Sequence, residues 1–101
     1  MNSVEIQISS IGNYTNIYID IKNNKTTINN QEKSITSEKI DELVRIIRTW
    51  DSIYQNQNNL IDSESFLVKI ITNEGIEEIK GSGDYPNNYL SLKEWISDLN
   101  E

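Results

Sequence analysis

The sequence predicts an α+β domain: an antiparallel sheet of four to five strands with two helices on one face, in the order ββ(β)-α-ββ-α. Three observations predict it. Apolar and polar residues alternate early in the chain, as in half-buried strands. Apolar residues recur at helical spacing in the middle and at the end, and a nearly continuous apolar run lies between these stretches. A length of 101 residues predicts a single domain over residues 1–101.

The first strands are predicted from strict alternation. Residues 4–9 alternate, and residues 14–21 alternate again, with isoleucines on one face and tyrosines on the other. A reversal then leads into residues 25–28, which complete a meander of two or three strands. Residues 29–33 hold no hydrophobic side chain and are predicted to form a polar loop.

The first helix is predicted to begin at Thr36 or Ser37, because both side chains suit an N-cap and acids follow in the first turns. Apolar residues then recur at helical spacing. They are Ile40, Leu43, Val44, Ile47, Trp50 and Tyr54. The spacing predicts a helix that extends close to Tyr54.

The second half predicts a hairpin followed by a closing helix. Residues 64–72 form the long apolar run expected of a central strand, residues 73–75 a turn, and residues 76–80 the return strand. The last helix is predicted to begin at Ser91, where an acid three residues later gives the spacing of a capping box. It runs to Leu99.

The net charge of −7 is concentrated in one half of the chain. Residues 1–50 carry six acids and six bases, whereas residues 51–101 carry ten acids and three bases. This balance argues against a nucleic-acid partner, whose phosphates need a basic patch. It is compatible with a basic protein partner, although solubility alone is also a sufficient reason for net charge.

The chain contains neither His nor Cys, which removes the usual general base, nucleophile pairs and strongest metal ligands. Glu77 and Glu78 would point to opposite faces of a strand and could not act together. Asp62 and Glu64 are interpreted as a solvated strand end. We therefore predict no enzyme activity, no catalytic residue, no metal and no cofactor.

Targeting signals are also absent from the sequence. The first residues lack the basic region and apolar run of a signal peptide, and no apolar stretch reaches the length of a membrane helix. Without Cys there is no disulfide framework. These features predict a cytoplasmic protein that does not associate with a membrane.

Two groups of residues are candidates for binding a protein partner. The first group is acidic and comprises Glu74, Glu77, Glu78 and Asp84. The second is Tyr14 with Tyr18, on the polar face of the second strand, because Tyr is enriched at protein interfaces. Cross-strand pairing that only stabilises the sheet is the alternative for these tyrosines.

Three segments together resemble a known group of proteins. They are residues 46–51 with Tyr54 close behind, residues 61–66, and residues 80–89 leading into Leu92 and Trp95. The group consists of small cytosolic proteins of low-GC Gram-positive bacteria, many of them uncharacterised, and some are thought to serve as immunity proteins of polymorphic toxin systems. The resemblance covers roughly residues 40–99 and rests mainly on a Gly-x-Gly-x-Tyr-Pro-x-Asn-Tyr element.

The resemblance and the lack of catalytic residues together predict a non-catalytic immunity (antitoxin) protein that neutralises a cognate toxin by direct binding. An accessory subunit that acts through homodimerisation is the alternative. The Gly-rich element is interpreted as a structural loop, with glycines that permit a positive φ and tyrosines that hold the last helix against the sheet. Its residues are Gly81, Gly83, Tyr85, Pro86 and Tyr89.

Overall fold

A computed structural model of the chain describes residues 2–10, 12–48, 50, 53–55, 64–82 and 85–99, with the backbone alone for residues 53–55 and 82. The elements in chain order are β1 (Ser3–Ser10), β2 (Asn13–Asp20), β3 (Lys25–Ile28), β4 (Gln31–Ser34), α1 (Ser37–Ile47), β5 (Ile53–Gln55), β6 (Ser65–Thr72), β7 (Gly75–Ser82) and α2 (Tyr89–Leu99). Neither helix is long and apolar enough to cross a bilayer within this described part of the chain.

The strands form one sheet in the order β4-β3-β2-β1-β6-β7-β5. Six strands pair antiparallel, and β5 pairs parallel with β7. The predicted α+β class is confirmed. The predicted four to five strands and the order ββ(β)-α-ββ-α need correction, because the described residues form seven strands in the order ββββ-α-βββ-α.

The extra strand β4 arises from a tight turn that the sequence analysis assigned to a polar loop. Asn29 and Asn30 have φ values of 47° and 73°, the left-handed region that a two-residue hairpin turn of type I′ requires at both positions. Asn tolerates this conformation better than most residues. The turn brings Gln31 back opposite Ile28, so that the polar stretch pairs with β3.

Helix α1 is shorter than predicted. Thr36 is its N-cap, as expected, and the Thr36 side chain accepts a hydrogen bond from the backbone N–H of Lys39 at 3.2 Å. The helix ends at Ile47, and Tyr54 lies in β5 rather than on the helix. Tyr54 fits the helical spacing of the preceding apolar residues by coincidence. Its backbone pairs with β7 as part of β5.

Helix α2 begins at Tyr89, two residues before the predicted start. Ser91 therefore lies inside the helix, and its N–H bonds to the carbonyl of Asn88 at 3.0 Å. The predicted capping box at Ser91 is wrong, because the turn at Pro86 already starts the helix: the Tyr89 N–H donates to the Pro86 carbonyl at 3.0 Å.

The core lies between the two helices and one face of the sheet. Register places Val4 opposite both Ile19 and Ile70, and directly opposed residues of a sheet share a face. All three are buried and belong to the same apolar cluster as the inward residues of both helices. The other face carries Glu5, Tyr18 and their register mates; it is called the open face below, since no described helix packs on it.

Candidate functional site

Glu64 is the centre of a polar cluster at the start of β6. Its carboxylate accepts a hydrogen bond from the Tyr89 hydroxyl and another from the Lys93 ammonium, each at 2.6 Å. The Tyr85 hydroxyl donates to the Glu64 backbone carbonyl, also at 2.6 Å. Glu64 thus receives three bonds from α2 and the loop before it, so the solvated strand end expected at Glu64 is wrong. Asp62 lies outside the described residues.

The electrostatics of this cluster favour a structural role for it. Burial of the Glu64 carboxyl opposes ionisation, but the hydrogen bonds from Lys93 and Tyr89 outweigh burial and lower its pKa. Burial and the Glu64 charge raise the pKa of Tyr89, so its hydroxyl stays protonated as a donor. A carboxyl used as a general acid needs a raised pKa instead. Glu64 is therefore suited to hold α2 against the sheet.

Glu64→Gln is expected to lower stability at neutral pH and to lose that effect in acid. The folded-state pKa of Glu64 lies below its ordinary value of 4.5. The stabilisation is therefore fully present above about pH 4.5 and falls as pH drops through the folded-state pKa. Urea unfolding of the two proteins from pH 7 to pH 2 checks this. Glu94→Gln, at an exposed position of α2, should stay within about 0.5 kcal/mol of wild type at neutral pH. A wild-type advantage that persisted to the lowest pH would contradict the assignment.

Four aromatic rings pack beside this cluster. Tyr85 and Tyr89 stack with centroids 4.6 Å apart, Phe66 lies 5.1 Å from Tyr89, and Trp50 meets Phe66 edge-on at 5.6 Å. The Trp50 indole N–H donates to the side-chain oxygen of Asn88. These rings come from the three segments that carry the resemblance, which the fold brings together.

The Gly-rich element is divided between a strand and a loop. Gly81 lies in β7 opposite Phe66. The loop role predicted for Gly81 is therefore wrong, because the strand continues through it while β5 pairs alongside. Pro86 is buried and Tyr85 is half-buried ahead of α2. Gly83 and Asp84 lie outside the described residues.

The acidic candidates lie at the opposite end of β7. Glu74 is in the turn between β6 and β7, and Glu77 and Glu78 follow in the strand; these three residues are called the acidic hairpin below. Glu78 faces the open face, opposite Lys69, and Glu77 faces the helices, opposite Ile70. All three are exposed, and none forms an ion pair within 4 Å with a described residue.

A groove of about 490 Å³ lies beside the acidic hairpin, between β7 and the C-terminal end of α1. Its apolar walls are Ile47 and Trp50 on the helix side and Ile70 and Ile79 on the sheet. Three charged residues also line it, one base (Arg48) and two acids (Glu77 and Glu78). A volume of this size is in the range of pockets that take a ligand or several side chains.

The tyrosine candidates are on the open face of β2. Tyr14 is 59% exposed and Tyr18 is 42% exposed. Register places Tyr18 in one cross-strand row with Glu5, Lys69 and Glu78. Three strand spacings separate Tyr18 from Glu78, about 14 Å. The structure thus places Tyr18 and Glu78 on one face and Glu77 on the other.

Sequence reasoning missed Glu64, Lys93 and Asn88 as organising residues. No local pattern identifies them, because the partners of the Glu64 carboxylate are 25 and 29 residues away and those of the Asn88 side chain are 38 and 42 away. The described residues contain no group of three or more acidic side chains placed to hold a metal ion.

Comparisons with protein-family models, with curated proteins and with solved structures found no match to the chain. The resemblance to small immunity proteins therefore stays a prediction from the sequence. The functional conclusion depends on the geometry of the chain itself.

Proposed function

We propose that this chain is a non-catalytic protein-binding domain of the immunity type, which neutralises a basic bacterial toxin domain by direct binding in the cytoplasm. The observation that carries the proposal is the acidic hairpin. Glu74, Glu77 and Glu78 are exposed within five consecutive residues and have no ion-pair partner among the described side chains. A basic partner surface supplies the missing charges.

The position of the acidic hairpin suits recognition by another protein. Lys69 lies opposite Glu78 but one strand further into the sheet, so the charges of β7 up to Glu78 are negative, and Lys80 is the next charge along the strand. Such a field steers a basic protein toward the hairpin and speeds encounter. Tyr18, in the same row of the open face, supplies contact area at the far side of that surface.

Neutralisation requires only that the bound domain covers the active surface of the toxin. A standard interface buries about 800 Å² on each partner. The chain exposes 6651 Å² in total, so one face of the sheet with its edge is large enough to provide such an interface. No group on this chain has to react, which agrees with the lack of His and Cys.

Co-expression with the product of the adjacent gene tests the proposal. We expect a stoichiometric complex and rescue of growth in cells that make the toxin domain. The proposal fails if no toxin-like reading frame adjoins this gene. It fails equally if the adjacent product remains active in the presence of excess purified chain.

Association with the toxin domain is expected to slow clearly as salt is added. Raising ionic strength from about 0.01 M to about 0.15 M shortens the screening length from roughly 30 Å to roughly 8 Å. Dissociation should change less, because short-range contacts govern it. Stopped-flow association measurements at several salt concentrations check this.

Charge reversal provides the matched test of the same attraction. Glu78→Lys should slow association at low salt, whereas Glu32→Lys, exposed on β4 in the neutral half of the chain, should change the rate by less than about twofold. A rate that ignores salt, or equal effects of the two substitutions, would show that the acidic bias serves solubility alone.

A further inference from the structure

Within the described part of the chain, the outer edge of β7 is only partly paired. Strand β7 has eight residues, and β5 pairs with just the last three, residues 80–82. Among the described residues, no strand pairs with the outer side of residues 75–79, called the outer edge below. A strand sends alternate backbone N–H and C=O groups to each side, so the outer edge presents donors and acceptors that another strand can use.

The groove lies directly beside this outer edge. Ile79 and Glu77 of β7 form one of its walls, and Ile47 and Trp50 form the helix side. A strand added at the outer edge would send every second side chain into the groove and the others onto the open face. An open strand edge beside a pocket for alternate side chains is the arrangement that binds extended peptides by strand addition.

The residues of the groove and of the open face indicate which side chains the added strand carries. The groove is lined by two acids, Glu77 and Glu78, and one base, Arg48, so its net charge is negative. Its apolar side chains, from Ile47, Trp50, Ile70 and Ile79, favour an apolar residue on the added strand. On the open face, Glu78 is the one charged residue among residues 75–79, and Lys80 follows it where β5 pairs with β7. A Lys or Arg directly opposite Glu78 pairs with it favourably. The fitting segment therefore alternates apolar and basic residues.

A second copy of this chain fits the outer edge poorly. In a symmetric antiparallel pairing centred on Glu77 or Glu78, that residue would lie opposite its own copy, and in one centred on Ile76, Glu78 would lie opposite Glu74 of the other copy. Like charges directly opposed destabilise such a pair. Acidic side chains on an open edge are also a common means of preventing self-association.

We propose that the partner binds by β-strand addition: an extended segment of alternating apolar and basic residues pairs with residues 75–79 of β7 and places its apolar side chains in the groove. This inference depends on the proposed function and specifies how the chain recognises its partner.

A synthetic peptide tests the edge without the toxin. The probe is an acetylated and amidated seven-residue peptide of alternating valine and lysine, added to the full ¹⁵N-labelled chain. We expect chemical-shift changes and slower hydrogen exchange at the backbone amides of residues 75–79. The matched peptide with glutamate in place of lysine should bind at least roughly tenfold more weakly to the wild-type chain. It should recover binding to Glu78→Lys.

Backbone methylation distinguishes strand addition from side-chain docking. One peptide carries N-methyl groups on its valines and another on its lysines. Only one of these two sets of N–H groups can point at β7, so one peptide should lose affinity by roughly tenfold or more and the other should bind nearly as well as the parent. Similar effects of the two methylations would overturn strand addition, as would shifts centred on Tyr14 and Tyr18.

Two further outcomes separate this inference from the proposed function. If the adjacent-gene toxin binds but leaves the amides of residues 75–79 unprotected in hydrogen exchange, strand addition fails and the immunity function stands. If the peptide pairs with β7 but no toxin binds, the edge site stands and the immunity function fails. Protection of the same amides that rises with concentration of the chain alone would identify a second copy as the occupant and overturn the basic segment.

Discussion

Trp95→Ala is expected to lower the free energy of unfolding by about 3 to 5 kcal/mol, the cost usual for removing a large buried aromatic side chain. Trp95 is 3% exposed on the inner face of α2. Its indole N–H also donates to the Lys39 carbonyl at 2.8 Å, which joins α2 to α1. The substitution leaves a cavity between the helices and removes the hydrogen bond that joins them. Because domains of this size are stable by only about 5 to 15 kcal/mol, the loss is a large fraction of the total.

Urea unfolding followed by circular dichroism measures this loss. Leu90→Ala is the matched control, because Leu90 is on the same helix but 69% exposed, and it should change stability by less than about 0.5 kcal/mol. Trp95→Phe should fall between the two variants, since it keeps most of the packing and removes only the donor. A Trp95→Ala variant within about 1 kcal/mol of wild type would show that the helix interface is not packed as described.

The class of the fold was predictable because the apolar residues recur with the period of a strand in some segments and with the period of a helix in others. Strand β2 alternates isoleucines with tyrosines, a pattern that predicts a half-buried strand. The structure buries Ile17 and Ile19 and exposes Tyr14 and Tyr18. The helical spacing that begins at Ile40 predicts α1 in the same way, and the structure buries Ile40, Leu43 and Ile47. Because the apolar faces of the strands and helices must pack against each other, these patterns allow few fold classes for a small domain.

The additional strands were not predictable from the same patterns. Strand β4 reads Gln-Glu-Lys-Ser and has no apolar alternation; it forms because two asparagines accept a left-handed turn and return the chain to β3. Strand β5 is three residues long and depends on a parallel partner 27 residues away in the chain, since Ile53 pairs with Lys80. Local periodicity contains neither piece of information.

Only part of the candidate site was predictable, because local patterns do not contain long-range contacts. Acidic residues in the second half of the chain were visible from composition, and strand geometry correctly placed Glu77 and Glu78 on opposite faces. The outer edge of β7 was not visible, because it depends on how few residues of β5 pair with it. The groove likewise depends on where α1 stops, which the sequence placed too late.

Asn88 is the second position where a large effect is expected. Its side-chain oxygen accepts the indole N–H of Trp50, and its amide donates to the Ile46 carbonyl at 2.9 Å. One residue just before α2 therefore holds both the end of α1 and the aromatic cluster beside β6. All of these groups are partly buried, so water cannot replace the lost partner freely.

Asn88→Ala is expected to cost about 2 to 4 kcal/mol, because it leaves the Trp50 N–H and the Ile46 carbonyl without their partners. Asn87→Ala, at the exposed neighbouring position, should stay within about 0.5 kcal/mol of wild type. Asn88→Asp keeps the acceptor for Trp50 but removes the donor and sets a negative charge beside the Ile46 carbonyl, so it should not restore stability. Urea unfolding of the three variants, followed by circular dichroism, provides the comparison. Equal unfolding midpoints for Asn88→Ala and Asn87→Ala would contradict the bridge between the helices and the sheet.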